Sequence, residues 1–488
     1  MKILFVTAEA HPLVKTGGLA DVCGSLPLEL MRHGHDVRLV LPAYPTALAR
    51  ARDLTCVGTV DIPLAPAPVR VLLGTMPDGQ VPLYLVDSPA HFAREGTPYG
   101  DERGQDWSDN AERFAVFCRA VTAMALERVT PGWRPDVVHC HDWHTGLVPA
   151  LLQLEPAATR PASIFTIHNL AYQGLFSYSK FQDLLLPSGL WRPDGLEFHG
   201  KMSFIKGGLV FSDWLTTVSP TYAEEICTPR LGCGFDDLLR RRRDRLCGIL
   251  NGANYEEWDP GNDPFIARPY TAQSIESKAE NKRHLQESLG LARDEESPLI
   301  ASVGRLVEQK GIDLMVEAMS ELMERPVQLV VMGNGERRFG SALEDAARQN
   351  PGRLAVHVGY TEELAHQVEA GADMFLMPSR FEPCGLTQLY SMRYGTIPIV
   401  RRTGGLADTV VDADATNVAA GRANGFVFEE PTQPELLRAV DRAIECFAET
   451  PGTWRQIATT GMAQEYSWTR SAGRYRDLYR GALCDRPA

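Results

Sequence analysis

Thr16-Gly17-Gly18-Leu19-Ala20-Asp21 recurs letter for letter as Thr403-Gly404-Gly405-Leu406-Ala407-Asp408. Each copy follows a short apolar run, Ile3 to Thr7 before the first and Ile397 to Val400 before the second, and each opens a helical pattern. A strand, a glycine turn and a helix start bring free backbone N–H groups to a point where a phosphate can be held. The same pieces also make ordinary tight βα turns. Two of them, in opposite halves, indicate two α/β domains facing one ligand.

The bulk composition fits that division. A chain of 488 residues exceeds one ordinary core and calls for two or three domains. It is 44% hydrophobic and 23% charged, which is the composition of a globular protein. A formal charge of −13 argues against a nucleic-acid or anionic-membrane partner, while leaving room for a local cationic pocket. The one dense basic block, Arg240 to Arg243, reads as a solvated face. Ten scattered cysteines without a C-x-x-C pattern point to reduced thiols and a cytoplasmic location. The first apolar run ends at Glu9 and reads as a strand, not a signal peptide, and no apolar stretch is long enough to span a bilayer.

Outward from the repeats, apolar runs alternate with helical patterns. Strands are expected at 2–8, 36–41, 69–73, 82–86, 136–140, 162–167, 214–218 and 246–250. In the second half they are expected at 298–303, 327–332, 353–358, 373–377 and 396–400. Intervening helices include 19–33, 109–128, 201–212, 311–323, 336–349, 361–371 and 385–394. Such strands indicate parallel sheets covered on both faces. The polar stretch 251–297 reads as a crossing between domains with a helix near 274–289. The tail is helical, with Trp454, Trp468, Tyr475 and Tyr479 as anchors. A ligand belongs at the carboxyl ends of the strands, in the cleft between domains.

The residues just past each strand bear on that placement. Lys15 precedes the first glycine pair and offers a point charge to a phosphate. Arg305 and Lys310 straddle a strand end and a helix start, where both can converge on a diphosphate. Tyr360 comes after another strand and can stack on a base. Pro378-Ser-Arg-Phe-Glu-Pro-Cys-Gly-Leu-Thr387 places Glu382 before a turn, Cys384-Gly385-Leu386-Thr387, that can present N–H groups and a hydroxyl to an anion. An anion would repel Glu382, so the carboxylate suits neutral hydroxyls beside the phosphate. A sugar joined to a diphosphate fits this pairing. His139, His141 and His144 beside Asp142, with His168 after the next strand, read either as metal ligands or as bonded imidazoles, and no second cluster completes a metal site. Asp412-Ala413-Asp414 resembles a cation-holding D-x-D but comes after a helix rather than a strand.

Taken together the motifs resemble those of bacterial glycogen synthases and plant starch synthases. They are Lys15-Thr-Gly-Gly-Leu-Ala-Asp-Val22, Trp107-Ser-Asp-Asn-Ala-Glu-Arg-Phe114, His141-Asp-Trp-His144, Phe165-Thr-Ile-His-Asn-Leu-Ala-Tyr-Gln-Gly174, Gly304-Arg-Leu306 with Gln309-Lys-Gly311, and Pro378 through Gln388. The resemblance implies a GT-B architecture, two Rossmann-like domains facing a deep cleft. The domains would be 1–250 on the acceptor side and 251–455 on the donor side, with a helical tail, 456–488, crossing back to the first. It implies glucosyl transfer from ADP-glucose to the non-reducing 4-OH of an α-1,4-glucan such as glycogen, with retained configuration and with no cofactor and no metal.

Carried over by residue, Lys15, Gly18 and Asp21 lie at the donor phosphates. Arg305 and Lys310 stabilise the leaving ADP, and Cys384, Gly385, Leu386 and Thr387 line phosphate and sugar. Tyr360 stacks near adenine and Asn251 lies at the hinge. His168 and Glu382 meet the glucose, and Tyr99, Asp142 and His144 face the acceptor. No carboxylate is apparent for a double displacement, which favours front-face transfer in which the leaving phosphate takes the acceptor proton. Tyr390 stands where related transferases often carry a second glutamate, and Asn254 where the family usually has aspartate. A UDP-glucose enzyme, an inactive glucan-binding homologue, a pyridoxal-phosphate phosphorylase and a nicotinamide oxidoreductase are the rival readings. The last lacks its G-x-G-x-x-G.

Overall fold

The computed structural model describes residues 1–101 and 104–485. The chain divides into two compact units, Met1–Gly252 together with the segment from Trp468, and Ala253–Ser467.

The first unit is built on one nine-stranded sheet. Its strands are β1 (Lys2–Val6), β2 (Asp36–Pro42), β3 (Arg52–Val60), β4 (Val69–Thr75), β5 (Pro82–Asp87), β6 (Val137–His141) and β7 (Ala162–Ile167). A small separate sheet holds β8 (Leu175–Phe176), β9 (Glu197–Phe198) and β10 (Lys201–Ser203), and β11 (Trp214–Thr217) and β12 (Leu246–Gly248) return to the main sheet. The main order is β12-β11-β7-β6-β1-β2-β5-β4-β3. The strands from β12 to β5 pair in parallel and are largely apolar and buried, as strands covered on both faces must be. β3, β4 and β5 pair antiparallel, so this edge departs from the all-parallel expectation. β3 was not expected from the sequence. Arg52, Asp53, Thr55 and Thr59 interrupt it and none of its residues is buried, so it lacks the apolar run that marks a central strand.

The second unit has strands β13 (Leu299–Val303), β14 (Gln328–Gly333), β15 (Leu354–Val358), β16 (Met374–Met377), β17 (Ile397–Arg401) and β18 (Phe426–Phe428). They pair in parallel in the order β15-β14-β13-β16-β17-β18, the doubly wound arrangement of nucleotide-binding sheets. In each sheet the strand order reverses at one point, beside β1 and β6 in the first unit and beside β13 and β16 in the second. Loops diverge there and leave a crevice at the strand carboxyl ends.

The helix Trp468–Cys484 packs into the first unit. Thr469 Oγ1 donates to Glu29 Oε1 at 2.8 Å, Ser471 Oγ donates to the Leu250 carbonyl at 2.6 Å, and the Tyr479 hydroxyl pairs with His139 Nδ1 at 2.8 Å. The helix Pro451–Met462 lies in the second unit. Asn254 closes a turn at the start of that unit: its Oδ1 accepts the Glu256 N–H and its Nδ2 donates to Glu257 Oε2, both at 3.1 Å. An aspartate could accept the first bond but would repel Glu257, which accounts for asparagine here.

Candidate active site

In the first unit the site grows from the loops after β1, β6 and β7. Helix Gly18–Arg32 starts at the second glycine of the repeat, with Gly17 in an extended conformation. The loop before it folds back on the helix, where the His11 N–H donates to the Ala20 carbonyl at 3.0 Å. A Cβ at Gly24 would lie 2.3 Å from the His11 carbonyl oxygen, so only glycine admits this approach. Lys15 ends on the loop with its ammonium 2.8 Å from Asp21 Oδ1, which aims it along the helix start.

Glu9 organises this half and was missed as a site residue in the sequence. Its carboxylate accepts the Thr16 N–H at 2.5 Å and the Tyr99 hydroxyl. Burial raises its pKa, against the pull of these hydrogen bonds. The Tyr99 ring stacks on His144 with centroids 4.6 Å apart. Asn110 Nδ2 and Arg113 Nη1 hold the Tyr99 loop through the Tyr99 and Pro98 carbonyls at 2.8 and 2.9 Å. Part of the motif at 107–114 is therefore a brace for Tyr99.

Asp142 follows β6 with φ of +55°, a conformation a non-glycine residue adopts at a cost of about 1–3 kcal/mol. Its Oδ1 accepts the His168 N–H at 2.7 Å. Burial pushes its pKa up to about 7, while the backbone N–H groups of His168 and Asn169 pull the other way. His168 Nε2 pairs with His141 Nδ1 at 2.9 Å, and burial lowers the His168 pKa to about 3, so this imidazole is neutral. His139 is bonded on both nitrogens, to Tyr479 and to Thr166 Oγ1. Among the described residues no three His, Cys, Asp or Glu side chains converge as metal ligands. Asn251 is buried, with an Oδ1 that has no hydrogen-bond partner among them.

In the second unit the loops after β13 and β16 meet. Lys310 Nζ lies 2.5 Å from Glu382 Oε2, and Ser379 Oγ donates to the same oxygen at 3.1 Å. Arg305 Nη2 donates to Gln309 Oε1 at 3.1 Å. A cavity of about 20 Å³ is lined by Gly304, Arg305, Lys310, Met377 and Ser379 among others. Gly311 has φ of +70°, and a Cβ there would lie 2.0 Å from the Pro378 carbonyl oxygen, so glycine lets the Lys310 turn approach the carboxylate loop.

Cys384 is buried, Gly385 has φ of +72°, and Thr387 opens the helix Thr387–Arg393. Gln388 Nε2 donates to the Cys384 and Gly385 carbonyls at 3.1 and 3.0 Å and fixes the turn around Leu386. Tyr360 is exposed, with its hydroxyl on Glu362. Tyr390 stacks on Trp258 at 4.2 Å and Trp258 on His366 at 3.8 Å, so it serves packing. Asp412 takes Arg442 and the Val427 N–H, and Asp414 caps a helix through the Asn417 N–H, which uses both carboxylates of the D-x-D. The basic block is also engaged locally: Arg240 pairs with Asp236, Arg242 donates to backbone carbonyls and Arg243 pairs with Glu224.

Comparison with known proteins matches both units. Residues 2–241 match the family model of the starch synthase catalytic domain and residues 286–459 that of glycosyl transferases group 1. The chain is 55% identical to Glycogen synthase 2 of Nitrosococcus oceani, over 98% of this chain and 96% of that protein. It is 53% identical to Glycogen synthase 1 of Methylococcus capsulatus, over 99% and 97%. The catalytic domain of starch synthase IV from Arabidopsis thaliana, solved bound to ADP and acarbose, superposes with a TM-score of 0.89 at 33% identity, covering 99% of each chain.

Proposed function

This chain belongs to the glycogen synthase family, and we propose that its donor is ADP-glucose and that it extends the non-reducing 4-OH of an α-1,4-glucan with retained configuration. It is a glycosyltransferase of GT-B architecture that acts in glycogen synthesis. The observation that carries the finer reading is the Lys310–Glu382 contact at the second switch point, with Arg305 beside the same cavity. Two cations and a buried carboxylate in one crevice match a diphosphate joined to a neutral sugar.

In this reading Arg305 and Lys310 take the negative charge that develops on the departing ADP, where fixed cations lower a barrier most. Glu382 orients Lys310 and accepts from sugar hydroxyls. The turn from Cys384 to Thr387 lines phosphate and sugar, and Tyr360 stacks on the adenine. From the first unit, Lys15, held by Asp21, and the helix start at Gly18 serve the phosphates. His168, neutral, meets the glucose without adding charge. Asn251 supplies a free carbonyl oxygen near the hinge. Tyr99, Asp142 and His144 serve the acceptor side. The acceptor proton passes to the leaving phosphate on the same face of the sugar. All ten cysteines are free thiols, in keeping with a cytoplasmic location, and no helix among the described residues is long and apolar enough to cross a membrane.

The test is to incubate the protein with glycogen and either ADP-glucose or UDP-glucose and to measure nucleoside diphosphate release. Release from ADP-glucose, with new linkages cut by an α-1,4-specific amylase, is expected. Release from UDP-glucose alone would replace the donor, release from neither would leave a glucan-binding homologue, and a trapped glucosyl-enzyme would sink the front-face route.

A further inference from the structure

Doubly wound sheets gather their ligands at the carboxyl ends of the strands, yet the first unit also has a cavity at the amino ends. Lys2 starts β1, Asp36 starts β2, and Asp136 and Pro161 each stand one place before β6 and β7. These four line a cavity of about 560 Å³ together with Arg134, Pro135, Arg160 and Leu483. Small-molecule sites occupy about 300–1,000 Å³. The five residues of β1 separate this cavity from the loop of Lys15 by roughly 17 Å, so it is no part of the site described above.

The charges around it are unequally satisfied. Asp36 Oδ2 accepts the Trp133 indole N–H at 2.7 Å, and its other oxygen lies 3.7 Å from Arg38 Nε. Asp136 Oδ2 accepts the Lys2 backbone N–H at 2.7 Å. Arg160 is committed to Asp213, to which it donates at 3.1 and 3.2 Å. The Lys2 ammonium and the Arg134 guanidinium are exposed and have no ion-pair partner among the described residues. His35, between Gly34 and Asp36 of the lining, buries both ring nitrogens without a hydrogen-bond partner among them. Burial lowers its pKa, and the nearby positive charges of Arg480, His33 and Arg476 lower it further. On a chain with a formal charge of −13, positive charge is thus in excess at this corner. Such a local reversal of sign draws an anion from solution.

We propose that this cavity binds a phosphorylated monosaccharide, with its phosphate on Lys2 and Arg134 and its hydroxyls on Asp36 and Asp136. A guanidinium fork and an ammonium are the side chains that suit phosphate oxygens. Each carboxylate keeps lone pairs free beyond the N–H it accepts. Carboxylates repel a bare anion but accept from hydroxyls, so the set fits a sugar that carries a phosphate better than phosphate alone. Pro135, Pro161 and Leu483 offer apolar contact to the C–H groups of the ring. Leu483 belongs to the helix Trp468–Cys484, and the other contacts come from strand starts, so the ligand ties that helix to the sheet. The proposal is independent of the donor and acceptor assigned above.

The experiment titrates glucose 1-phosphate into the full chain by calorimetry and locates the bound sugar phosphate by hydrogen exchange. Saturable binding is expected, with Kd raised about tenfold or more in Lys2→Met and in Arg134→Met, the scale of one lost charge-assisted bond. Lys310→Met should leave it within twofold. Both cavity substitutions are at exposed positions and keep the Lys2 N–H bond, so melting temperatures should stay within about 2 °C of the parent. Slower exchange on binding is expected at Asp36 and Asp136, whose N–H groups donate to the Met1 and Lys2 carbonyls. No binding by the parent, or parental affinity in the folded Lys2 and Arg134 variants, would overturn the site. Protection confined to the segment from Gly304 to Lys310 would move the ligand to the donor crevice and also overturn it. Inorganic phosphate or glucose binding as tightly as glucose 1-phosphate would overturn the sugar-phosphate assignment.

Discussion

The Gly405 N–H donates to the Glu382 carbonyl at 3.1 Å, so the second copy of the repeated hexapeptide is the backrest of the carboxylate loop. Its glycines are required by contact: a Cβ at Gly404 would lie 1.9 Å from the Glu382 carbonyl oxygen, and one at Gly405 would lie 2.0 Å from that of Cys384. Gly17 in the first copy has open space around its missing Cβ. Identical letters therefore answer to different constraints.

That contrast predicts opposite outcomes. Gly405→Ala should destabilise by about 2 kcal/mol, as forced overpacking does, and should weaken donor binding by moving the Glu382 loop. Gly17→Ala should change stability by less than about 0.5 kcal/mol. Denaturant unfolding checks both, and equal losses would refute the assignment of unequal roles.

Lys310→Met leaves the Glu382 carboxylate with Ser379 but without its cation. The kcat with ADP-glucose should fall roughly 100-fold or more, the scale for losing one stabilising group in a transition state. A variant that kept near-parental kcat would remove Lys310 from the chemistry.

Glu9→Gln keeps the shape but loses a charged acceptor shared by Thr16 and Tyr99. KM for the donor should rise about tenfold, the scale of a charge-assisted hydrogen bond, because the Lys15 loop is released. Steady-state kinetics decides the point, with circular dichroism to confirm folding.

His168 should show no imidazole titration by NMR between pH 5 and pH 9, because burial holds its pKa near 3. A titration in that range would place a charged group beside the sugar and change the proposed role.

His366 gives a pH signature in stability. Burial disfavours its charged form, but the hydrogen bond to Asp263 at 2.8 Å and the Glu362 carboxylate 3.8 Å away outweigh that and raise the pKa from 6.5 to about 9. A group whose folded pKa is raised contributes fully below its unfolded pKa and loses that contribution as pH climbs through the folded value. The difference in melting temperature between the parent and His366→Gln should be greatest below pH 6.5 and should close towards pH 9. A gap that widened with pH would contradict the Asp263 pairing.

The sequence disclosed the strand ends well because central strands are continuous apolar runs and their loops carry glycine and charge together. Lys15, Arg305, Lys310 and Glu382 stand out for that reason. It could not disclose what those residues lean on. Glu9 looked like the end of an apolar run, and its bond to Tyr99 crosses 90 residues. Gln309 and Gln388 carry no charge or rare geometry to mark them, yet Gln309 reaches the Phe381 carbonyl across 72 residues and Gln388 holds the Cys384 and Gly385 carbonyls of its own turn. Edge strand β3 stayed hidden because a half-exposed strand lacks the apolar signal. Asp412 is the opposite case, a residue whose letter suggests chemistry but whose side chain is spent on Arg442, as its place after a helix rather than a strand had indicated.

The bond between His139 and Tyr479 spans 340 positions of the chain. On the ribosome, the first unit's central strand is complete long before its hydroxyl partner exists, and the whole of the second unit is translated in between. The first unit therefore waits, with a polar group in its interior unserved, until the last helix emerges. Any truncation before Trp468 removes the finishing piece of the domain that was begun first.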